Sequence, residues 1–205
     1  TLSAIESLSS IRKSRSKREV HREDSRGAKL KRLEDSIATL DHRQNKAVIE
    51  TVEGVQRIRG LAGSGKTIVL ALKAAYLHTQ HPDWRIAVTF NTRSLKGQFR
   101  RLINNFCIEQ SGEEPDWTKI RVVNAWGAPG GDERDGIYYE FCRASGHEFH
   151  DFRSASSRFG SNDKAFDGAC AAALTAVQNP PAVYDVILVD EAQDFTSSFL
   201  RLCYS

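Results

Sequence analysis

The sequence predicts an α/β domain of three layers, in which helices cover both faces of a mainly parallel sheet. Two observations support this fold class. Short apolar runs that suit strands alternate along the chain with longer segments of helical periodicity. A glycine-rich turn also joins the first predicted strand directly to the next predicted helix. Because alternating strands and helices connect through right-handed crossovers, the strands are expected to run parallel.

Four strands are predicted from short apolar runs that end at turn residues. They cover residues 55–59, 85–90, 120–123 and 186–189. The last run is apolar at every position, which is typical of a strand in the buried middle of a parallel sheet.

Apolar residues at helical spacing predict the helices that connect these strands. They cover residues 40–53, 66–80, 93–110 and 163–177. A shorter helix at 136–144 is expected within an irregular stretch that is rich in glycine and aromatic residues. Residues 128–180 are therefore interpreted as a small, partly helical insertion in a domain that spans residues 37–205.

Residues 1–36 are interpreted as a basic helical linker. Residues 1–46 hold an excess of five positive charges, whereas the whole chain of 205 residues carries a net charge of +3. Such mixed-sign runs are usually solvated helix faces or linkers, although a basic segment can also contact nucleic-acid phosphates. The chain begins at Thr1 and contains no methionine, so a piece of a longer protein is expected, and an upstream nuclease domain is one hypothesis.

The composition excludes several classes of protein. Hydrophobic residues make up 40% and charged residues 27% of the chain, and no apolar run suits a membrane helix or a signal segment. The four cysteines are far apart and form no CxxC pair, which is atypical of a zinc cage. They are Cys107, Cys142, Cys170 and Cys203. Scattered, reduced cysteines favour a cytoplasmic protein.

The glycine-rich turn at 60–67 predicts a phosphate-binding loop, because it fits G-x-x-x-x-G-K-[ST] at every fixed position. Its glycines allow successive N–H groups to point at phosphate oxygens, and the helix that follows presents its positive end to the same anion. Lys66 is expected to neutralise the β- and γ-phosphates of ATP, and Thr67 to bind Mg²⁺. The residues predicted to bind ATP in this loop are Gly60, Ala62, Gly63, Ser64, Gly65, Lys66 and Thr67.

Asp190 and Glu191 follow the last predicted strand, at the edge where ligands collect in open α/β sheets. Asp190 is expected to hold Mg²⁺, and Glu191 to orient or deprotonate the water that attacks the γ-phosphate. An acidic pair at a strand end can also be a simple turn. Its presence in one chain with the phosphate-binding loop favours a catalytic interpretation.

Residues 190–195, Asp-Glu-Ala-Gln-Asp-Phe, closely resemble the DExQD signature of UvrD/Rep-like superfamily 1 helicases, and residues 60–67 are similar to the first motif of that family. The resemblance covers about residues 40–195 and implies the first RecA-like (ATP-binding) domain, a P-loop NTPase fold. Gln44 lies in a stretch that resembles the adenine-reading Q motif. Gln193 would couple the γ-phosphate state to a second RecA-like domain, which is expected to lie outside this chain.

The same resemblance implies contacts with single-stranded nucleic acid, most simply DNA. The candidate residues are Phe90, Asn91, Thr92, Arg93 and Trp126. Residues 89–95 depart from the usual order of the family's motif Ia, and residues 124–127 lack the usual Thr-Phe-His of motif Ib. A base could stack on Trp126, but a lone tryptophan beside a strand end is more often part of a core.

The sequence therefore predicts the ATP-hydrolysing core of a DNA helicase, with ATP and Mg²⁺ as cofactors. Without a second motor domain, the chain is expected to bind ATP better than it hydrolyses it. A nucleotide-gated regulatory or scaffold module, which would not unwind nucleic acid, is the alternative. A small-molecule P-loop kinase fits poorly, because kinases seldom pair this loop with a strand-end DExQ.

Overall fold

The computed structural model describes residues 47–59, 65–92, 94–161 and 163–205. These residues form, in chain order, α1 (Lys66–Gln80), β1 (Ile86–Phe90), α2 (Leu95–Ser111), β2 (Ile120–Asn124), α3 (Ile137–Ser145), α4 (Phe152–Phe159), α5 (Asp163–Ala176), β3 (Val186–Val189), a 3-10 helix (Ala192–Asp194) and α6 (Ser197–Tyr204). The linker predicted at 1–36 lies outside the described residues. Each described helix is too short or too polar to cross a membrane.

The three described strands form one parallel sheet in the order β2-β1-β3. Ile86 of β1 is aligned with Ile120 of β2 and with Val186 of β3. All three strands therefore end at the same side of the sheet. We call this side the carboxyl edge, and define it by the loops that follow β1, β2 and β3.

Helices lie on both faces of the sheet. Side chains alternate along β1, so that Ile86, Val88 and Phe90 share one core with α1 and α2, whereas Ala87 shares a second core with α3, α5 and α6. The predicted α/β class with parallel strands is confirmed. α5 falls within the predicted insertion at 128–180, and its buried alanines belong to the same core as Ala87.

The helices predicted at 66–80, 93–110, 136–144 and 163–177 correspond to α1, α2, α3 and α5, with ends that differ by at most two residues. Of the helix predicted at 40–53, residues 47–49 are helical and residues 50–53 are not. α4 and α6 lie in stretches where no helix was predicted. The strand predicted at 55–59 is wrong, since these residues form no strand and Val55 is 78% exposed. Apolar residues in that run stand three apart, at Val55 and Ile58, which is not the two-residue period of a strand.

β1, not β3, is the central strand of the described sheet. Every residue of β1 is buried, whereas Val186, Ile187 and Val189 of β3 are half-buried. The expectation that 186–189 lies in the buried middle of the sheet is therefore wrong for the described residues. An uninterrupted apolar run shows that both faces of a strand are covered, but it does not show that both edges are paired.

A buried charge cluster joins β2 to the segment after it. Arg121 of β2 contacts Asp135 (Nη2–Oδ2, 2.6 Å) and Glu140 of α3 (Nη1–Oε1, 2.8 Å). The hydroxyl of Tyr184 donates to the other carboxylate oxygen of Glu140. Glu140 is 1% exposed. Burial raises the pKa of its carboxyl, although Tyr184 and Arg121 act in the opposite direction.

Candidate nucleotide-binding site

α1 begins at the carboxyl edge with the last residues of the glycine-rich turn. Gly65, the residue before the helix, has φ 75° and ψ 22°, a left-handed conformation that glycine adopts without steric cost. The first turn of α1 contains Lys66 and Thr67 and no acidic residue. The positive end of the helix is therefore accompanied by a basic side chain and a hydroxyl, a combination that suits an anion.

Asp190 lies beside this helix start, directly after β3. Its backbone N–H donates to the carbonyl of Thr89 at the end of β1 (2.9 Å), which continues the pairing of the two strands. Its carboxylate accepts from the Thr67 hydroxyl (Oγ1–Oδ2, 3.0 Å) and from the backbone N–H of Glu191 (3.1 Å). Asp190 is 1% exposed. Burial raises the pKa of this carboxyl, and the hydrogen bond from Thr67 opposes that shift.

The contact between Thr67 and Asp190 joins two residues that are 123 positions apart in sequence. A hydroxyl and a carboxylate oxygen are hard oxygen ligands, the type that Mg²⁺ prefers when it keeps several of its waters. The side chains present at this point therefore fit the magnesium site that the sequence predicts.

Glu191 turns its side chain from the end of β3 toward Lys66. It has φ 48° and ψ 49°, and among the described residues it is the one non-glycine residue with a positive φ. Its carboxylate contacts the Lys66 ammonium (Oε1–Nζ, 3.5 Å) and accepts from the amide of Gln193. The Gln193 hydrogen bond and then the Lys66 charge lower the pKa of Glu191. Left-handed backbone in a non-glycine residue is strained, and such strain is concentrated at functional sites.

The structure thus brings together five of the residues that the sequence assigned to ATP, Mg²⁺ or catalysis. They are Lys66, Thr67, Asp190, Glu191 and Gln193. Gly65 lies next to them at the start of α1. Gln44, Gly60, Ala62, Gly63 and Ser64 lie outside the described residues, so their predicted roles stay predictions.

The residues predicted to contact nucleic acid have different surroundings. Phe90 is 1% exposed and stacks on Phe99 inside the core. Asn91 and Thr92 are exposed at the carboxyl edge, and Arg93 lies outside the described residues. Their roles toward nucleic acid stay predictions.

The Trp126 ring is packed against other aromatic side chains. It stacks on Phe166 with 4.8 Å between ring centroids and meets Phe152 edge-on. Its indole N–H donates to the carbonyl of His150 (2.9 Å). These contacts are those of a core residue, the alternative that the sequence left open for this tryptophan.

A buried lysine in the middle of α1, which the sequence motifs do not include, contacts the chain that precedes the glycine-rich turn. Lys73 is 5% exposed, and its ammonium donates to the carbonyls of Ala47 (3.0 Å) and Glu50 (2.7 Å). Burial lowers its pKa. Its position inside the apolar run of α1 is the signal that could have identified it, because a lysine is rarely buried without partners. Lys73 thereby ties the chain that leads into the glycine-rich turn to the helix that follows it.

Comparison of the chain with protein-family models, with curated proteins and with solved structures finds no match. The functional interpretation therefore depends on the motifs and on the geometry of the site.

Replacing Asp190 with Asn is expected to raise thermal stability while abolishing Mg²⁺-dependent nucleotide binding. Because the folded state raises the pKa of Asp190, the ionised carboxylate costs folding free energy at neutral pH, and this cost disappears as the pH falls and the group is protonated. A gain of about 1 kcal/mol would raise Tm by about 2–4 °C in a domain of this size. Thermal unfolding at pH 7 and Mg²⁺ titration of nucleotide binding measure the two effects.

Asp185→Asn is the matched control for this prediction. Its hydrogen bonds with Arg85 lower the pKa of Asp185, so the same substitution there is expected to lower Tm at pH 7. Equal losses of Tm in the two variants would contradict the role given to burial at Asp190.

Proposed function

We propose that this chain is the ATP-binding and ATP-hydrolysing core of a nucleic-acid-dependent motor. The observation that supports it best is the 3.0 Å contact between Thr67, in the phosphate-loop motif, and Asp190, in the DExQD-like motif. Each motif on its own could be a turn with a purely structural role. Their convergence at the start of one helix is what an ATPase requires, since the phosphates and the metal must meet at one point.

Each side chain at this point has a distinct role in the proposal. Lys66 would pair with the β- and γ-phosphates, and Thr67 and Asp190 would hold Mg²⁺. The metal would neutralise negative charge on the phosphate oxygens during hydrolysis. Gln193 and Lys66 lower the pKa of Glu191 and so favour its ionised form. In the proposal this carboxylate would orient the attacking water and accept its proton.

The contact between Lys66 and Glu191 (3.5 Å) supports this division of roles. It is consistent with the proposal because Lys66 and Glu191, which would face the phosphates and the water, reach the same small region. A bound triphosphate would compete with Glu191 for the Lys66 ammonium. Glu191 would then turn to the water, while the amide of Gln193 keeps it oriented.

The finer assignment is a RecA-like domain of a UvrD/Rep-like DNA helicase of superfamily 1, in a cytoplasmic protein. It is supported by the order of residues 190–195 and by the spacing of the motifs around a parallel sheet. In this assignment the partner molecules are single-stranded DNA and a second RecA-like domain. Stimulation of ATP hydrolysis by single-stranded DNA, in a protein that also contains the second domain, separates the motor from the regulatory module.

Lys66→Ala is expected to weaken ATP binding by about 10- to 100-fold, because a charge-assisted contact with phosphate is lost. Binding of a fluorescent ATP analogue to the 205-residue chain in the presence of Mg²⁺ measures it directly. Lys164→Ala, which removes the same charge from an exposed position on α5, is the control and should bind ATP as the unmodified chain does. Equal affinity of the Lys66 and Lys164 variants would overturn the proposed function.

A further inference from the structure

A second feature of the carboxyl edge lies beside the ends of β1 and β2. It is a cavity of about 560 Å³ lined by Lys96, Gly97, Arg100, Asn124 and Glu133. Two of these residues are cations from the first turns of α2, and one is a carboxylate from the loop after β2. None of them belongs to the nucleotide-binding site described above.

The two cations are held in place. The Lys96 side chain is 11% exposed, although it is charged. The Arg100 guanidinium lies over the Trp117 ring, 4.8 Å from its centroid, in a cation–π arrangement. Positive charges held at fixed positions in a cavity lose little conformational entropy on binding an anion.

The loop after β2 is closed at its base. Gly127 and Gly136 pack backbone to backbone, so closely that a Cβ on Gly127 would lie 2.4 Å from the Gly136 nitrogen. The N–H of Ala128 donates to the carbonyl of Arg134 (2.7 Å), and that of Asn124 to the carbonyl of Asp135 (3.1 Å). Residues 127–136 therefore form a preorganised loop, which we call the acidic loop because its tip contains Asp132 and Glu133.

The tip of the acidic loop contacts the two cations of the cavity, Lys96 and Arg100. The Lys96 ammonium donates to the carbonyl of Asp132 (2.7 Å) and contacts the Glu133 carboxylate (3.4 Å). Arg100 approaches the other oxygen of Glu133 (3.9 Å), and Arg121 lies 3.5 Å from the Asp132 carboxylate. The side chains of Asp132 and Glu133 are 89% and 78% exposed. Ion pairs this exposed are weak, so another anion can replace them at little cost.

We infer that the cavity binds a backbone phosphate of single-stranded nucleic acid, and that the acidic loop is a built-in competitor which the phosphate displaces. The Glu133 carboxylate presents two oxygens to Lys96 and Arg100, as a phosphate would. The exposed residues Asn91 and Thr92 lie at the same edge, so a strand could continue along it. The inference depends on the proposed function only for the choice of nucleic acid as the partner.

The acidic loop would then keep affinity for nucleic acid low and dependent on salt. Any strand that enters must displace the Glu133 carboxylate from Lys96 and Arg100 with one of its own phosphates. Removing the tip charges should strengthen binding, whereas removing the cavity cations should weaken it. These opposite changes in affinity for nucleic acid distinguish a competing loop from a loop that only stabilises the fold.

The test measures binding of a fluorescein-labelled oligothymidylate, about 12 nucleotides long, to the 205-residue chain by fluorescence anisotropy. The double variant Asp132→Asn/Glu133→Gln is expected to bind about three- to tenfold more tightly than the unmodified chain, as the loss of two exposed ion pairs allows. The control Glu113→Gln/Glu114→Gln removes the same charge from two exposed positions just after α2 and should change affinity less than twofold. Lys96→Ala/Arg100→Ala should bind more weakly and show a smaller dependence of log K on log salt concentration.

Three results would overturn the inference. One is an acidic-loop variant that binds the oligonucleotide no more tightly than the control variant. Another is the absence of oligonucleotide binding in all variants. The third is binding of inorganic phosphate at the cavity without binding of the oligonucleotide. That result would show that the cavity is a site for small anions. ATP binding by the same variants should be unchanged, so a chain that binds the oligonucleotide but not ATP would contradict the proposed function and leave this inference standing.

Discussion

Glu191→Gln is expected to leave ATP binding intact and to lower ATP turnover by about 10²–10⁴-fold, the usual contribution of a general base. Glutamine keeps the size of the side chain and can still accept a hydrogen bond from Gln193. It cannot accept a proton from water. The structure makes Glu191 the better candidate for this role than Asp190, because Asp190 is 1% exposed and its carboxylate is occupied by Thr67, whereas the Glu191 side chain is 38% exposed.

Single-turnover hydrolysis with ATP and Mg²⁺ measures this effect, in a protein that contains this chain together with the second motor domain that the proposed function requires. Glu148→Gln, a carboxylate with a 74% exposed side chain beside Arg158, is the matched control and should retain full turnover. Normal turnover by Glu191→Gln with normal ATP affinity would remove the general-base assignment. Loss of ATP binding itself would show that the contact of Glu191 with Lys66 organises the phosphate site instead.

The pairing of the two motifs could be predicted from sequence because each consists of a short, local pattern. Gly65, Lys66 and Thr67 open a helix, and Asp190 and Glu191 close a strand. Both patterns were assigned to the phosphates and metal of one nucleotide, so they were expected to meet, although the strand predicted to lead into the glycine-rich turn does not form. The 3.0 Å contact between Thr67 and Asp190 agrees with that reasoning.

The acidic loop could not be predicted in this way. In the sequence, Asp132 and Glu133 resemble ordinary charged surface residues. The residues around them do not reveal that α2 places Lys96 and Arg100 nearby. The same applies to Lys73, which contacts carbonyls of Ala47 and Glu50 more than twenty residues earlier. Contacts of this kind depend on how helices pack across the sheet, which periodicity does not determine.

The prediction of a strand at 55–59 is wrong for a different reason. The strand was predicted from a short run that contains Val55 and Ile58 and ends at the glycine-rich turn, but the spacing of three places these residues on no common strand face. Only Ile58 packs against the core, and Val55 stays exposed. A short run that ends at a turn therefore does not predict a strand when its apolar residues lack the two-residue period.

Arg121→Met is expected to destabilise the fold by about 3–5 kcal/mol, the usual cost of leaving buried charges without a counter-ion. Arg121 neutralises two carboxylates, Asp135 and Glu140, whose side chains are 8% and 1% exposed. Methionine can fill the space of the arginine stem but cannot compensate their charge. In a domain of this size, the loss corresponds to a decrease in Tm of about 10 °C.

The pH dependence of this loss identifies its cause. Burial already raises the pKa of Glu140, and removing Arg121 should raise it further. A carboxyl with a raised folded-state pKa is destabilising when ionised, so the variant should lose more stability at pH 8 and recover part of it toward pH 5. Arg85→Met is the control, because the pair of Arg85 with Asp185 is exposed, with side chains 46% and 37% accessible, and is worth at most about 1 kcal/mol. Equal, pH-independent decreases in Tm for the two variants would show that the cluster around Arg121 contributes no more than a surface ion pair.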